Sequence, residues 1–193
     1  MIEYIKGEIV QLTPTTAVIE AAGIGYDINI SLTTYSALEG KNSAKLLIQE
    51  VIREDAHLLF GFAEEAERTL FRSLTGVSGV GANTARMILS SLNVADLEQT
   101  IISGDSRRLK SVKGIGAKTA ERIIVDLKDK IKPSGNTLII QPEIASESFD
   151  EALSALVMLG FPRPQSLKVL KKLYEAEPTI KLETAIKKAL AMM

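Results

Sequence analysis

The chain has 193 residues, with 23 Lys+Arg against 24 Asp+Glu, a net charge of −1, and a 46% hydrophobic share. These are globular values and exclude a disordered chain. There is no Cys and only one His, His57. That excludes a disulfide scaffold, thiolate chemistry, Cys-based zinc sites, His-rich metal sites and most catalytic triads. No apolar run reaches about 18 residues, and the start MIEYIKGEIV has no signal-peptide pattern. The expectation is a soluble cytoplasmic protein without metal or cofactor.

The first 62 residues read as five short strands. Ile2–Leu12 is strand-like until Pro14 interrupts it, and Ala17–Ala21 resumes. Gly23 and Gly25 mark a turn before Tyr26–Leu32, which alternates apolar and polar residues with the period of a half-buried strand. Lys45–Ile52 and Ala56–Phe60 follow, separated by the polar turn Arg53-Glu54-Asp55. Five strands in this length suit a small β-barrel, with the OB-fold as leading candidate.

From Ala63 the pattern turns helical, and Glu64, Glu65 and Glu67 place acid in the first turns, where the helix dipole favours it. Helical segments continue to about Ile131. A linker over 133–147 contains Pro133, Gly135 and Pro142 and also an apolar run, Leu138–Ile140. Three helical patterns close the chain, over Phe149–Leu159, Pro164–Tyr174 and Leu182–Ala191, as a compact bundle. In that bundle Leu167, Leu170 and Leu173 read as core, and Lys168, Lys171 and Lys172 as a solvated face. The fold class is therefore α+β and multi-domain. It has an N-terminal OB-fold barrel (1–62), an all-α domain (63–132), the linker (133–147) and a C-terminal three-helix bundle (148–193).

Charge is unevenly spread. Residues 1–62 are net −4, whereas residues 105–132 are net +5. Within this region lies an internal repeat at offset 35. Gly79-Val-Gly-Ala-Asn-Thr-Ala-Arg-Met-Ile88 aligns with Gly114-Ile-Gly-Ala-Lys-Thr-Ala-Glu-Arg-Ile123, with six of ten positions identical. The stripe Ala85, Ile88, Leu89, Leu92 matches Ala120, Ile123, Ile124, Leu127, one face of a helix in each copy. Each copy is thus a helix, a tight glycine hairpin and an amphipathic helix. Glycine permits unusual backbone angles and close approach of another group. The unpaired N–H groups opening the next helix suit a phosphate oxygen. Val80 and Ile115 would anchor the turns in the core. Two such sites side by side suit the two strands of a DNA duplex, contacted through the backbone without sequence readout.

Two nucleotide-binding motifs fail. A P-loop ending at Lys118-Thr119 would need Gly where Ala117 and Val112 stand, and a dinucleotide fingerprint would need a third Gly at Thr84 or Thr119. Two other functions are compatible with glycine hairpins. A DNA-repair enzyme would need a base-extruding pocket or clustered metal-binding carboxylates, and Glu54-Asp55, adjacent in sequence, make a poor pair for that. A generic duplex adaptor would bind junction and linear DNA alike.

The two copies resemble tandem helix-hairpin-helix DNA-binding repeats, and the whole chain resembles the RuvA family of bacterial Holliday-junction branch-migration subunits. The resemblance runs through Met1-Ile2, Gly23-x-Gly25-Tyr26, Arg53-Glu54-Asp55-Ala56, Leu59-Phe60-Gly61-Phe62, Glu67-Arg68-Thr69-Leu70-Phe71, both hairpins and Lys118-Thr119-Ala120-Glu121-Arg122. It implies a homotetramer, or two face to face as an octamer, holding a four-way junction open and square during recombination and DNA repair. It implies no catalytic site in this chain. The partners implied are the hexameric ATPase RuvB, docked by the C-terminal domain, and the resolvase RuvC. The resemblance assigns DNA contacts to Gly79, Val80, Gly81, Gly114, Ile115, Gly116, Lys118 and Arg122. Asn83 and Ala117 stand where family members often carry Lys, so Asn83 offers only an amide, and Lys118 and Arg122 carry more of the electrostatic load. Glu54 and Asp55 become an acidic pin near the junction centre. Leu159, Gly160 and Phe161, following Met158, become a candidate motor-docking loop. His57, two residues past the pin, reads as surface polar.

Overall fold

The computed structural model describes residues 1–131, 144–177 and 180–192. Met1–Gly135 and Asn136–Met193 form two compact units. The expected linker, including Leu138–Ile140, falls almost wholly outside the described residues.

The first unit opens with strands β1 (Tyr4–Leu12), β2 (Thr16–Ala21) and β3 (Ile24–Ile30), helix α1 (Leu32–Leu38), and strands β4 (Ser43–Ile52) and β5 (His57–Phe62). The strands close into a barrel in the order β1-β2-β3-β5-β4. β1 closes it by pairing antiparallel with both β2 and β4, while β3 and β5 pair in parallel. Inward positions alternate as a two-residue period requires. Ile19, Ile28, Ile30, Leu46 and Ile48 fill the interior, and Leu38 of α1 packs with them. A closed five-stranded barrel with a helix between its third and fourth strands is the OB-fold expected from the strand pattern.

Helix α1 corrects the strand reading. Strand β3 ends at Ile30, and Leu32 opens a helix instead of closing a strand. The Ser31 side chain accepts a bond from the Thr34 N–H, capping that helix. The run LTTYSAL has two β-branched threonines and only seven residues, so its local helical signal is weak.

Helices α2 (Glu65–Thr75), α3 (Ala82–Ser91), α4 (Val94–Ser103), α5 (Ser106–Lys110) and α6 (Ala117–Leu127) complete the unit. The boundary near residue 62 separates strands from helices but not two cores. Phe60 and Phe62 of β5 belong to the same buried cluster as Leu70, Phe71, Leu74, Ile88, Leu97 and Ile123. Phe71 lies 5.0 Å, centroid to centroid, from both barrel phenylalanines, a spacing favoured by aromatic rings.

Buried polar groups reinforce this join. Glu67 was expected among the exposed acids of α2, but it is buried and accepts bonds from the Ser31 and Thr34 hydroxyls of α1. Burial pushes its pKa up, against those hydroxyl bonds. Arg68 is also buried and reaches Glu3 Oε1 at 2.5 Å, Glu65 Oε2 at 2.6 Å and the Glu3 carbonyl at 3.1 Å.

The second unit packs α7 (Ile144–Met158), α8 (Arg163–Ala176) and α9 (Leu182–Ala191) around Ala152, Leu153, Leu156, Leu170, Tyr174, Ala185 and Ala189. Leu170 is fully buried, and Leu167 and Leu173 pack on this core as expected. Phe149 meets Tyr174 edge-on at 5.3 Å. Gly160, at φ +96°, ends α7, and the Phe161 N–H reaches back to the Leu156 carbonyl at 3.1 Å. Among the described residues no helix is long and apolar enough to cross a membrane.

Candidate nucleic-acid interface

The repeat folds as two hairpins matched bond for bond. In the first, the Val77 N–H donates to Leu74 O at 3.0 Å and the Val80 N–H to Val77 O at 3.0 Å. In the second, Val112 donates to Leu109 O at 3.1 Å and Ile115 to Val112 O at 3.2 Å. Gly79 and Gly114 adopt φ of +90° and +89°, which L side chains rarely adopt. Val80 and Ile115 point into the helical core, anchoring both turns as expected.

Gly81 and Gly116 have a different role. Their φ values, −83° and −79°, suit any residue, and a Cβ at either would meet nothing within 4 Å. Neither backbone strain nor internal packing requires glycine there. What its absent side chain preserves is space for a group arriving from outside. Both residues cap helices that receive no side-chain cap, leaving the first N–H groups of α3 and α6 to an external acceptor.

The side chains around these turns are unequal. Lys118 and Arg122 are exposed on α6, and Asn83 and Met87 occupy the matching positions on α3. Lys118, Thr119 and Arg122 share a shallow depression of about 190 Å³ with Ser78 and Gly79 of the first hairpin. Arg122 Nη1 donates to the Ser78 carbonyl at 3.4 Å. Sequence reasoning did not single out Ser78, nor exposed Arg107, Lys110 and Lys113, which extend the basic side of the second copy. Their signal was the +5 charge of the segment, which names a region but no residue.

Arg86 lies on the same helix as Asn83 but is tied to the barrel. Its Nη1 donates to Thr15 O at 3.0 Å and Asn29 Oδ1 at 3.1 Å. Partial burial lowers its pKa. Nearby, Thr33 Oγ1 donates to Leu89 O at 2.9 Å and the Leu32 N–H to Ser90 Oγ at 3.1 Å.

Glu54 and Asp55 sit exposed at the tip of the β4–β5 hairpin, closed by the Arg53 N–H donating to Ala56 O at 2.8 Å. His57 is exposed as expected and also lies 3.1 Å from Glu50 Oε1. The Ile2 N–H, the largest influence, and then His57 hold Glu50 below the usual carboxylate range, against the cost of desolvation. In the second unit, Met158 and Leu159 are exposed, Gly160 is exposed and Phe161 half-buried at the α7–α8 corner. No group of three or more acidic or His side chains able to hold a metal occurs among the described residues.

The family description RuvA N terminal domain matches residues 1–61, SAM-like Helix-hairpin-helix tandem matches 71–129, and RuvA, C-terminal domain matches 147–193. The chain is 56% identical over 196 residues to the Holliday junction branch migration complex subunit RuvA of Parabacteroides distasonis, with all of both chains covered. It is 52% identical to the protein of that name from Bacteroides fragilis, with 98% of each covered, and 50% identical to that of Porphyromonas gingivalis over the whole of both. Two matched hairpins beside a closed barrel, a three-helix unit, and full-length identity at this level have one common account: the chain belongs to the RuvA family.

Proposed function

We propose that this chain binds four-way DNA junctions through sequence-independent phosphate contacts and serves as a non-catalytic subunit of a cytoplasmic branch-migration assembly acting in recombination and repair. The observation that carries this reading is the pair of uncapped hairpins with open Gly81 and Gly116, joined to relatives named for that role. Gly79, Val80 and Gly81, with Gly114, Ile115 and Gly116, present backbone N–H groups to phosphates on the two strands of an arm. Lys118 and Arg122 supply charge, and Asn83 a neutral amide.

A homotetramer arranges four such platforms about a junction, and a second tetramer can face the first. Near the centre, Glu54 and Asp55 of each chain repel the phosphates of any duplex crossing straight through. Strands sent outward into four arms avoid that repulsion. The C-terminal unit presents Leu159, Gly160 and Phe161 to the ATPase RuvB, and RuvC resolves the same junction.

Competition between matched four-way and linear DNA at one salt concentration tests this reading. Preference for the junction is expected, and equal affinity would reduce the chain to a duplex adaptor. Metal-dependent cutting of the junction by the isolated protein would overturn the non-catalytic assignment.

A further inference from the structure

The geometry points to a single phosphate site shared by both hairpins, in the depression where Lys118 and Arg122 of the second copy face Ser78 and Gly79 of the first. This rests on the proposed DNA-binding function and specifies how charge is distributed within it. At offset 35 the first copy carries Ser78, Asn83 and Met87 where the second carries Lys113, Lys118 and Arg122. Taken alone, the first hairpin has no cation at any of these positions with which to neutralise a bound phosphate.

The fold supplies charge across the repeat. Arg122 does not stay within its own hairpin but donates to the carbonyl of Ser78 at 3.4 Å. One guanidinium N–H is so engaged, and the other donors of the fork have no partner among the described residues. Lys118 has no ion-pair partner among the described residues and lines the same depression, as does Thr119. None of the five lining residues is acidic, so nothing in the lining offsets the two positive charges. The floor is the backbone of Ser78 and Gly79, and a Cβ built on Gly79 would meet nothing within 4 Å.

A DNA phosphodiester fits these features. It is a compact monoanion whose oxygens accept bonds from an arginine fork and an ammonium together. The phosphate that approaches the first hairpin is therefore neutralised by the second. Asn83 and Met87 then mark a transfer of charge between copies, not a weakened site.

A double-variant cycle on the full-length chain tests the sharing, read as the salt dependence of four-way junction binding. Gly81→Val blocks approach to the first hairpin, and Arg122→Met installs the residue found at the matching position of the first copy. With one shared phosphate, each single variant lowers the salt slope by about 0.9, and the double variant by that same amount. Losses that add, to about 1.8 for two independent phosphates, would overturn the sharing and leave the proposed function standing. If neither variant changed junction binding, the DNA-binding reading would fail, and the shared site with it. Thermal melts establish that the variants fold. Should Gly81→Val not fold, Ser78→Glu repeats the cycle by placing a carboxylate in the depression beside both cations, and the same lack of additivity with Arg122→Met is expected.

Discussion

At offset 35 the first hairpin copy carries Arg68, Phe71, Arg86 and Ser90 where the second carries Ser103, Ser106, Glu121 and Val125. All four first-copy residues face the barrel or its α1 helix. Phe71 stacks with Phe60 and Phe62, Arg68 reaches Glu3, Arg86 reaches Thr15 and Asn29, and Ser90 accepts from Leu32. Their second-copy counterparts make no such join, and Val125 stands 75% exposed. Around the turns the contrast reverses, with the cations on the second copy. The backbone of the hairpin is common to both, so its geometry does not distinguish them. The difference teaches that one copy holds the helical region on the barrel while the other presents charge to solvent. Substitutions at matched positions should therefore have unequal effects.

The largest inequality should be in stability. Phe71→Ala removes a fully buried ring from the centre of the join and should cost about 3–5 kcal/mol, whereas Val125→Ala should change stability by no more than about 0.5 kcal/mol. Urea unfolding of both variants measures this directly. Equal losses would mean that the barrel join is not where the first copy differs.

Arg86→Leu comes next. It leaves the Thr15 carbonyl and Asn29 Oδ1 without their donor and should cost about 1–3 kcal/mol. Glu121→Leu, at the matching exposed position, should leave the unfolding midpoint nearly unchanged. A destabilised Glu121 variant would contradict the division between the copies.

Charge at the turns should give a smaller effect with the opposite bias. Lys118→Ala should lower the salt slope of junction binding by about 0.9 for one lost phosphate contact, with the same loss on every junction sequence. Asn83→Ala should weaken binding without changing the slope. Titrations across a salt series separate the two, and identical slopes for both variants would place the charge elsewhere.

The smallest effect should be in the pH dependence of stability. Burial holds the Glu67 pKa above its value in the unfolded chain, so the folded state binds that proton more tightly. Its stabilising contribution is present below the ordinary carboxylate range and is lost as pH rises through the raised value. Glu3 acts in the opposite sense. The Arg68 hydrogen bond holds its pKa low, and its contribution is lost as pH falls through that lowered value. Glu67→Gln should flatten the decline above the ordinary carboxylate range and leave the acid-side loss in place. Unfolding midpoints across pH 3–8 would read this, and an unaltered upper limb would show that Glu67 does not titrate there.

Much of the fold could be read from periodicity. The alternation in Tyr26–Ile30 and the i, i+3, i+4, i+7 stripes of α3 and α6 depend on local geometry alone, because a residue's face follows from its spacing. Helix α1 escaped that reading, since seven residues make barely two turns and its stability comes from the Ser31 cap and from packing of Leu38 on the barrel interior. Glu67 and Arg68 escaped for another reason. Charged residues at the start of a helix read as solvated, and only the barrel beside them reveals the partners that make burial tolerable.

The candidate site divides in the same way. The sequence by itself determined the hairpins, because a glycine at each turn permits positive φ and an apolar residue between glycines anchors the loop wherever a core lies beneath it. It also determined that cations concentrate on the second copy. Which arginines remain available was decided only by the tertiary structure. Arg86 and Arg122 stand one position apart in register, yet one is held by a barrel carbonyl and amide and the other leans across to Ser78. Spacing along a helix tells which way a side chain points, but what it meets there is set by residues distant in the chain.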